Sequence, residues 1–271
     1  MNIFTTLLIQ PLTNGLILFY NLLGHNLGTA IIGFSVFLIF VMRPLTKPYM
    51  ESMKRIKELQ PKVDKLKKKY GKDKIAFSKA QAELYKQAGA NPAQGCLPMI
   101  FQFVIIIALF NVFTSALTGG DVVVKLNTLL YPALKLAEGA TLNTNFLYLD
   151  VTKPDKFMFS GIPFALPGLF VILAAIAQFL SVKVTIPFIS AEQKVASKTK
   201  SEVDDMQVAM QSSMVYMGPL MTLYFGTQFP AGLALYWLIY SIVSMAQQVL
   251  SSGWGGLTPY IKFLGLVKSS S

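Results

Sequence analysis

The sequence predicts an all-α polytopic membrane protein with five transmembrane helices, an N-terminal interfacial helix and a cytoplasmic helical hairpin. Three observations carry that expectation. Hydrophobic residues make up 53% of the 271 and charged residues only 14%, too few charges to cover a soluble surface, where about 25% is usual. Mean hydropathy is +0.51, and the apolar residues gather in stretches approaching the ~20 residues that cross a ~30 Å hydrocarbon core. Finally, the 24 Lys and Arg, against 13 acids, crowd into one segment. The composition also excludes chemistry. One Cys and one His leave no intrachain disulfide, no Cys-rich zinc site and no His-pair metal motif. No GxxxxGK[ST], HExxH or GxSxG occurs, so no metal, cofactor or enzymatic activity is expected.

Residues 1–42 contain no Lys, Arg, Asp or Glu. Ile3 to Leu23 is interrupted by Pro11 and Asn14 and closed by Gly24-His25-Asn26, which suggests a helix lying in the membrane interface over residues 1–26. A short first span is the rival reading. A signal peptide would need a basic start, and none is present. Span one covers 27–46, its apolar part running from Leu27 to Met42 before Arg43-Pro44. Spans two and three are expected at 97–117 and 161–182. From Met206 to Ile261 no formal charge occurs, a stretch too long for one helix. Gln228-Phe229-Pro230-Ala231-Gly232 supplies the break, giving spans four and five within 213–250 and leaving 251–271 as a tail.

Charge placement sets the topology. Residues 47–96 hold 13 Lys/Arg and 5 acids, whereas 118–160 and 183–212 hold 4 of each sign. The positive-inside rule therefore places 47–96 in the cytoplasm. The loop 118–160 and the N-terminus then lie outside, and 183–212 and the C-terminus inside. The 47–96 segment has its own pattern. Met50, Met53, Ile56, Leu59, Val63, Leu66 and Tyr70 recur at helical spacing. Glu51–Arg55, Glu58–Lys62 and Asp64–Lys68 are acid-first i,i+4 pairs. Pro61 should kink or restart this helix, and Gly71-Lys72-Asp73 should turn the chain. Phe77, Gln81, Leu84 and Ala88 set a second seam, so an antiparallel hairpin with basic outer faces is expected. Its densest run is Lys65, Lys67, Lys68 and Lys69. Such a run fits three roles: a solvated face, a contact for anionic lipid or a contact for RNA phosphate. Charge alone does not separate them.

In the interior of the five spans no Asp, Glu, Lys or Arg occurs, Arg43 standing at the end of span one, which argues against a proton relay or a charge-coupled transporter. Neutral polar groups remain: Ser35, Gln102, Asn111, Gln178, Tyr236 and Trp237. Each singly is more often an interhelical contact than a site. Together they make sense as the lining of a wet, uncharged groove.

Several motifs carry a family resemblance. Asn91-Pro92-Ala93-Gln94-Gly95-Cys96-Leu97-Pro98 with Gln102 resembles the start of a core span of the YidC-type (Oxa superfamily) membrane insertases. Phe229-Pro230-Ala231-Gly232-Leu233-Ala234-Leu235-Tyr236-Trp237 with Gln247-Gln248 resembles their final span. Pro44-Leu45-Thr46, Ser52-Met53-Lys54 and Leu59-Gln60-Pro61 are similar to the start of their hairpin. Leu149-Asp150 and Lys153-Pro154-Asp155 resemble the segment before their third core span. The matches run in family order over about residues 5–250.

The resemblance implies an insertase or chaperone for nascent membrane proteins in the plasma (inner) membrane. A hydrophilic groove would open to cytoplasm and lipid, and a substrate's apolar segment would slide along spans two and four. Groove positions carried over are Ser35, Gln102, Gln178 and Trp237, with Tyr236 beside them; Phe103 and Ile106 fall on the apolar slide. Ribosome, Sec translocon and anionic lipids are the further partners implied, and DNA is not. A small-solute channel or transporter on the same fold is the alternative. Two departures stand out. The large extracytoplasmic domain of many Gram-negative members does not precede span one. The family's groove Arg position is Ile39 here, leaving Arg43, one turn further on, either as its substitute or as an ordinary positive-inside anchor.

Overall fold

The computed structural model describes residues 3–70, 73–90, 97–117, 121–161, 163–185 and 202–263. Its elements are α1 (Gln10–Leu22), α2 (Leu27–Tyr70), α3 (Lys74–Gln87), α4 (Leu97–Asn111), α5 (Val122–Leu129), α6 (Leu169–Thr185), α7 (Glu202–Gly226), α8 (Ala231–Ser252) and α9 (Thr258–Phe263). The short strands β1 (Asn145–Phe146), β2 (Leu149–Asp150), β3 (Lys156–Phe157) and β4 (Leu166–Pro167) pair antiparallel as β1–β2 and β3–β4. The fold is therefore α-helical with two small ribbons. Two helical stretches, Leu27–Pro48 and Ala231–Ser252, are long and apolar enough to cross a membrane; Ile100–Thr114 and Leu169–Thr185 are shorter apolar helices.

The chain divides into two compact units. One comprises Met1–Val41, Ile100–Gln178 and Gly218–Val243; the other comprises Met42–Met99, Phe179–Met217 and Ser244–Ser271.

In the first unit, α1 passes through both residues expected to interrupt it. Pro11 sits in its first turn, where no intrahelical N–H is required. Asn14 is buried and donates to the carbonyls of Gln10 (2.8 Å) and Leu129 (2.9 Å), while its Oδ1 accepts from Tyr131 N (2.7 Å). That amide fastens α1 to the end of α5. Helix α1 stops as expected at Gly24, whose φ of +81° suits glycine, with His25 N bonded back to Tyr20 O at 2.9 Å. Asn26 then caps α2 by accepting from Gly28 N and Thr29 N. Leu16, Ile17, Leu27, Phe34, Leu109, Phe113 and Leu235 share one core.

Three element boundaries differ from the sequence reading. Helix α2 carries Pro44, Pro48 and Pro61 inside it and ends only at Tyr70, so Pro61 does not restart the chain. Long flanking runs of good helix formers outweigh each missing N–H. Helix α6 begins at Leu169 rather than Gly161, because Pro163, Pro167 and Gly168 disfavour helix there and β4 pairs with β3. Helix α7 starts at Glu202, well inside the stretch read as a charged loop. The break between α7 and α8 falls at Thr227–Pro230, as the Pro and Gly required.

In the second unit, α2 and α3 form the hairpin. Ile56, Leu59 and Ala90 are buried together, with Met53, Leu84, Tyr85 and Ala88 packed beside them. Asp73 caps α3 by accepting from Ala76 N at 3.0 Å. Gly89 (φ +62°) closes it, with Gly89 N bonded to Lys86 O and Ala90 N to Tyr85 O. Of the expected ion pairs, Glu51 lies 3.9 Å from Lys47, and Arg55 directs its Nη1 to the carbonyls of Ala88 and Gly89. The Gly71-Lys72 turn, the Asn91–Cys96 motif and most of the 183–212 loop lie outside the described residues.

Candidate functional site

The polar side chains considered in the first unit lie on stretches of α2, α4, α6, α7 and α8 that carry no formal charge. Ser35 on α2 is fully buried and returns its hydroxyl to Ile31 O of the preceding turn. Gln102 on α4 accepts from Tyr236 Oη of α8 at 3.3 Å, and its Nε2 is buried with no hydrogen-bond partner. An amide N–H left in that state costs free energy in an apolar setting. Gln178 on α6 accepts from Thr222 Oγ1 of α7 at 2.5 Å. Trp237 is half-buried against the core. A small void beside Ser35 and Tyr236 is otherwise walled by Leu16, Ile31, Phe34, Leu109 and Phe113.

Two polar pairs thus cross between helices, Gln102 with Tyr236 and Gln178 with Thr222. Thr222, fully buried, was not legible from the sequence; the signal available was a hydroxyl in α7 opposite an amide in α6. Ile39 is buried. Arg43 is exposed, and its carbonyl accepts from Thr46 Oγ1.

On α4, Phe103 is half exposed with Ile100 and Ile107, which share its face at helical spacing, while Ile106 is buried in the core. An apolar stripe on this helix therefore reads Ile100, Phe103, Ile107. On α7, Tyr216, Leu220 and Tyr224 form a second exposed stripe at intervals of four.

The hairpin lysines divide. Lys65, Lys68 and Lys69 are exposed, whereas Lys67 is half-buried and engaged. Lys57, not singled out from the sequence, is half-buried and donates to Val184 O at the end of α6, 3.0 Å away. Burial lowers its ammonium from 10.5 to about 8. Lys183 lies over the rings of Phe179 and Tyr260 at 5.4 and 6.0 Å, tying α9 to the same helix end. Among the described residues no group of three or more His, Cys, Asp or Glu could hold a metal ion.

The loop before α6 is held by one carboxylate. Asp155, 2% exposed, accepts from Tyr148 Oη and from the backbone N–H groups of Phe170 and Val171. It therefore caps α6 from outside the helix. The neighbouring carbonyls of Val151 and Lys153 accept from Gly232 N and Ala231 N, closing the first turn of α8. The Lys-Pro-Asp and Phe-Pro-Ala-Gly motifs thus meet, the first capping α6 through Asp155 and supplying an acceptor to the first turn of α8 through Lys153.

A family model described as 60Kd inner membrane protein matches residues 18–253. The chain belongs to that family. This 60Kd inner membrane protein family member resembles "Membrane protein insertase YidC" of Fusobacterium nucleatum, 29% identical over 82% of this chain and 84% of that protein. It also resembles "Membrane protein insertase YidC 2" of Bacillus anthracis, 29% identical over 90% of this chain and 79% of that one. With "Membrane protein insertase YidC" of Prosthecochloris aestuarii it shares 31% identity over 82% of this chain but only 32% of the relative. The chain thus spans about a third of the longer relatives and most of the shorter ones. As a 60Kd inner membrane protein it is a membrane protein.

Proposed function

We propose that this protein is a non-enzymatic membrane insertase that passes apolar segments of nascent membrane proteins into the bilayer. The observation that carries the reading is the unpartnered, buried Nε2 of Gln102 beside Tyr236, inside helices free of formal charge. A buried amide N–H with no partner among the protein groups suits a strip that pairs with the polar backbone of a passing chain. Each such pairing offsets part of that chain's desolvation cost in hydrocarbon. Five spans, the N-terminus outside and the C-terminus in the cytoplasm complete the scheme, with residues 1–26 in the interface and the 47–96 hairpin facing the ribosome, the Sec translocon or anionic lipid.

Ser35, Gln102, Gln178, Tyr236 and Trp237 line the polar strip in this reading. Phe103, flanked by Ile100 and Ile107, offers the apolar face, and Ile106 backs it from the core. Arg43 supplies the cation one turn beyond Ile39, on a helix that continues through Pro44. Its long side chain lets the guanidinium snorkel back along the helix.

Reconstitution into liposomes tests the proposal. A short single-span substrate should insert with the native protein, and Gln102→Leu should slow insertion while the fold persists. Arg43→Ala should impair substrates with acidic tails and Arg43→Lys should retain part of the activity; unchanged insertion leaves Arg43 as a plain anchor. Flux of a small solute without any insertion would establish the channel alternative instead.

A further inference from the structure

The N-terminal end of α6 carries an exposed surface that insertion through a polar strip does not use. Phe157, Met158, Phe159 and Phe164 all stand open, Met158 at 68% and Phe164 at 62%. They belong to the β3–β4 ribbon, whose register pairs Lys156 with Pro167 and Phe157 with Leu166. The rings of Phe157 and Phe159 lie 6.5 Å apart. The ribbon is not loose. Asp155, next to β3, is bonded to the first turn of α6, and Gly168 N returns to Asp155 O at 3.0 Å. A Cβ at Gly168 would collide with the Asp155 carboxylate, so ribbon and helix meet as closely as glycine permits.

Helix α6 is short for its task. It begins at Leu169, and its uncharged part ends before Lys183. Residues 169–182 rise about 21 Å at ~1.5 Å each, against a hydrocarbon core of ~30 Å. Leu169, Ile172, Leu173 and Ile176 are exposed at helical spacing along one side, and the ribbon directly precedes the first of them in the chain. Two-residue strands leave backbone groups unpaired, which lipid-exposed segments cannot tolerate in the hydrocarbon core but can at the hydrated interface. Aromatic rings favour that depth. Lys153 and Lys156 are exposed beside them, whereas Asp155 is buried and Asp150 is paired with Lys153 at 3.0 Å. Lys153 is neutralised by Asp150, so the outward charge left over is that of Lys156, a cation that suits anionic headgroups.

We propose that the β3–β4 ribbon is a lipid anchor: Phe157, Met158, Phe159 and Phe164 enter the headgroup–acyl boundary of the leaflet at the α6 N-terminus. Lys156 meets lipid phosphate there. The anchor extends the apolar reach of a helix too short to span alone, and it fixes the height of α6 in the bilayer.

Depth measurement by spin label tests this with the full chain in phosphatidylcholine vesicles containing phosphatidylglycerol. In a Cys96→Ser background, nitroxides are attached at Met158→Cys, at Phe164→Cys and, as an aqueous reference, at Lys79→Cys on the hairpin. The ratio of oxygen to water-soluble nickel-chelate collisions should be several-fold higher at the two ribbon sites than at the reference. Equal ratios would put the ribbon in water and overturn the anchor. Low collision rates with both reagents would reveal a protein contact, such as a second copy of this chain, and overturn it equally. Neither readout depends on insertion activity, so the anchor can fail while the insertase reading stands.

Discussion

The first unit buries Leu16, Ile17, Val112 and Phe113 almost completely, whereas the hairpin of the second closes a narrow seam around Ile56 and Leu59. The difference follows from what surrounds each helix. Lipid is as apolar as leucine, so membrane helices gain little by hiding apolar area and depend on close packing. Gly15 accordingly accepts the ring of Phe34 where a Cβ would stand 2.3 Å away, and Gly232 accepts Phe113 at 2.4 Å. The hairpin, with its charged outer faces, relies on a thin apolar seam and on well-made helix ends at Asp73 and Gly89. Packing secures one unit; caps and a seam secure the other.

The same substitution in both units gives the sharpest test of that contrast. Leu109→Ala in the packed core should cost about 3–5 kcal/mol and Leu59→Ala in the seam about 2 kcal/mol, read from denaturant unfolding of the detergent-solubilised protein. Equal costs would erase the distinction. Next comes the loop carboxylate. Asp155→Ala leaves two backbone N–H groups and the Tyr148 hydroxyl unpaired, for a loss of about 2 kcal/mol. Asp155→Asn should lose less, since its carbonyl still accepts; amide exchange at Phe170 and Val171 would report it.

A smaller effect is expected from Lys57. Its folded value lies near 8, below the ordinary 10.5, so between those values the unfolded chain binds more protons than the folded one. Stability should therefore rise with pH across that window, while the cost of half-burying the charge is fully present below it. Protection of the hairpin from proteolysis, followed from pH 7.5 to 10 (on the order of the window set by that shift), should improve in the native protein and stay level in Lys57→Met. A level native profile would detach Lys57 from hairpin stability. The smallest stability change belongs to neutralising Lys65, Lys67, Lys68 and Lys69 with Gln, roughly 0.5 kcal/mol or less at each of the exposed Lys65, Lys68 and Lys69. Binding to ribosomes or anionic vesicles should nevertheless weaken and lose salt dependence. Unaltered binding to both would leave those lysines as a solvated face.

Much of the architecture was legible because it rests on local pattern. The hairpin seam appears as a three-and-four spacing, and the buried side chains Ile56, Leu59 and Val63 follow it. Gly24-His25-Asn26 reads as a helix break, and the Schellman-type closure and the Asn26 cap are made by those same residues. The polar strip was legible only as a set of amides and hydroxyls. Its pairings were not, because Gln178 finds Thr222 and Gln102 finds Tyr236 across long sequence separations. Ile106 and Phe103, three residues apart, were assigned together; their burial differs because neighbouring helices cover one face of α4 and leave the other open.

Composition, charge distribution and helical period by themselves determined a helical membrane protein, its breaks at Gly24 and Pro230, and a basic hairpin. These depend on short-range sterics and on the cost of placing charge in lipid, which act on each segment alone. Tertiary structure decided the rest. It moved the start of α6 to Leu169 under the Asp155 cap and tied Asn14 to the end of α5. It also set Lys57 against the carbonyl of Val184. Each outcome depends on a partner distant in sequence satisfying a backbone or side-chain group, and such partners become visible only when the chain has folded back on itself.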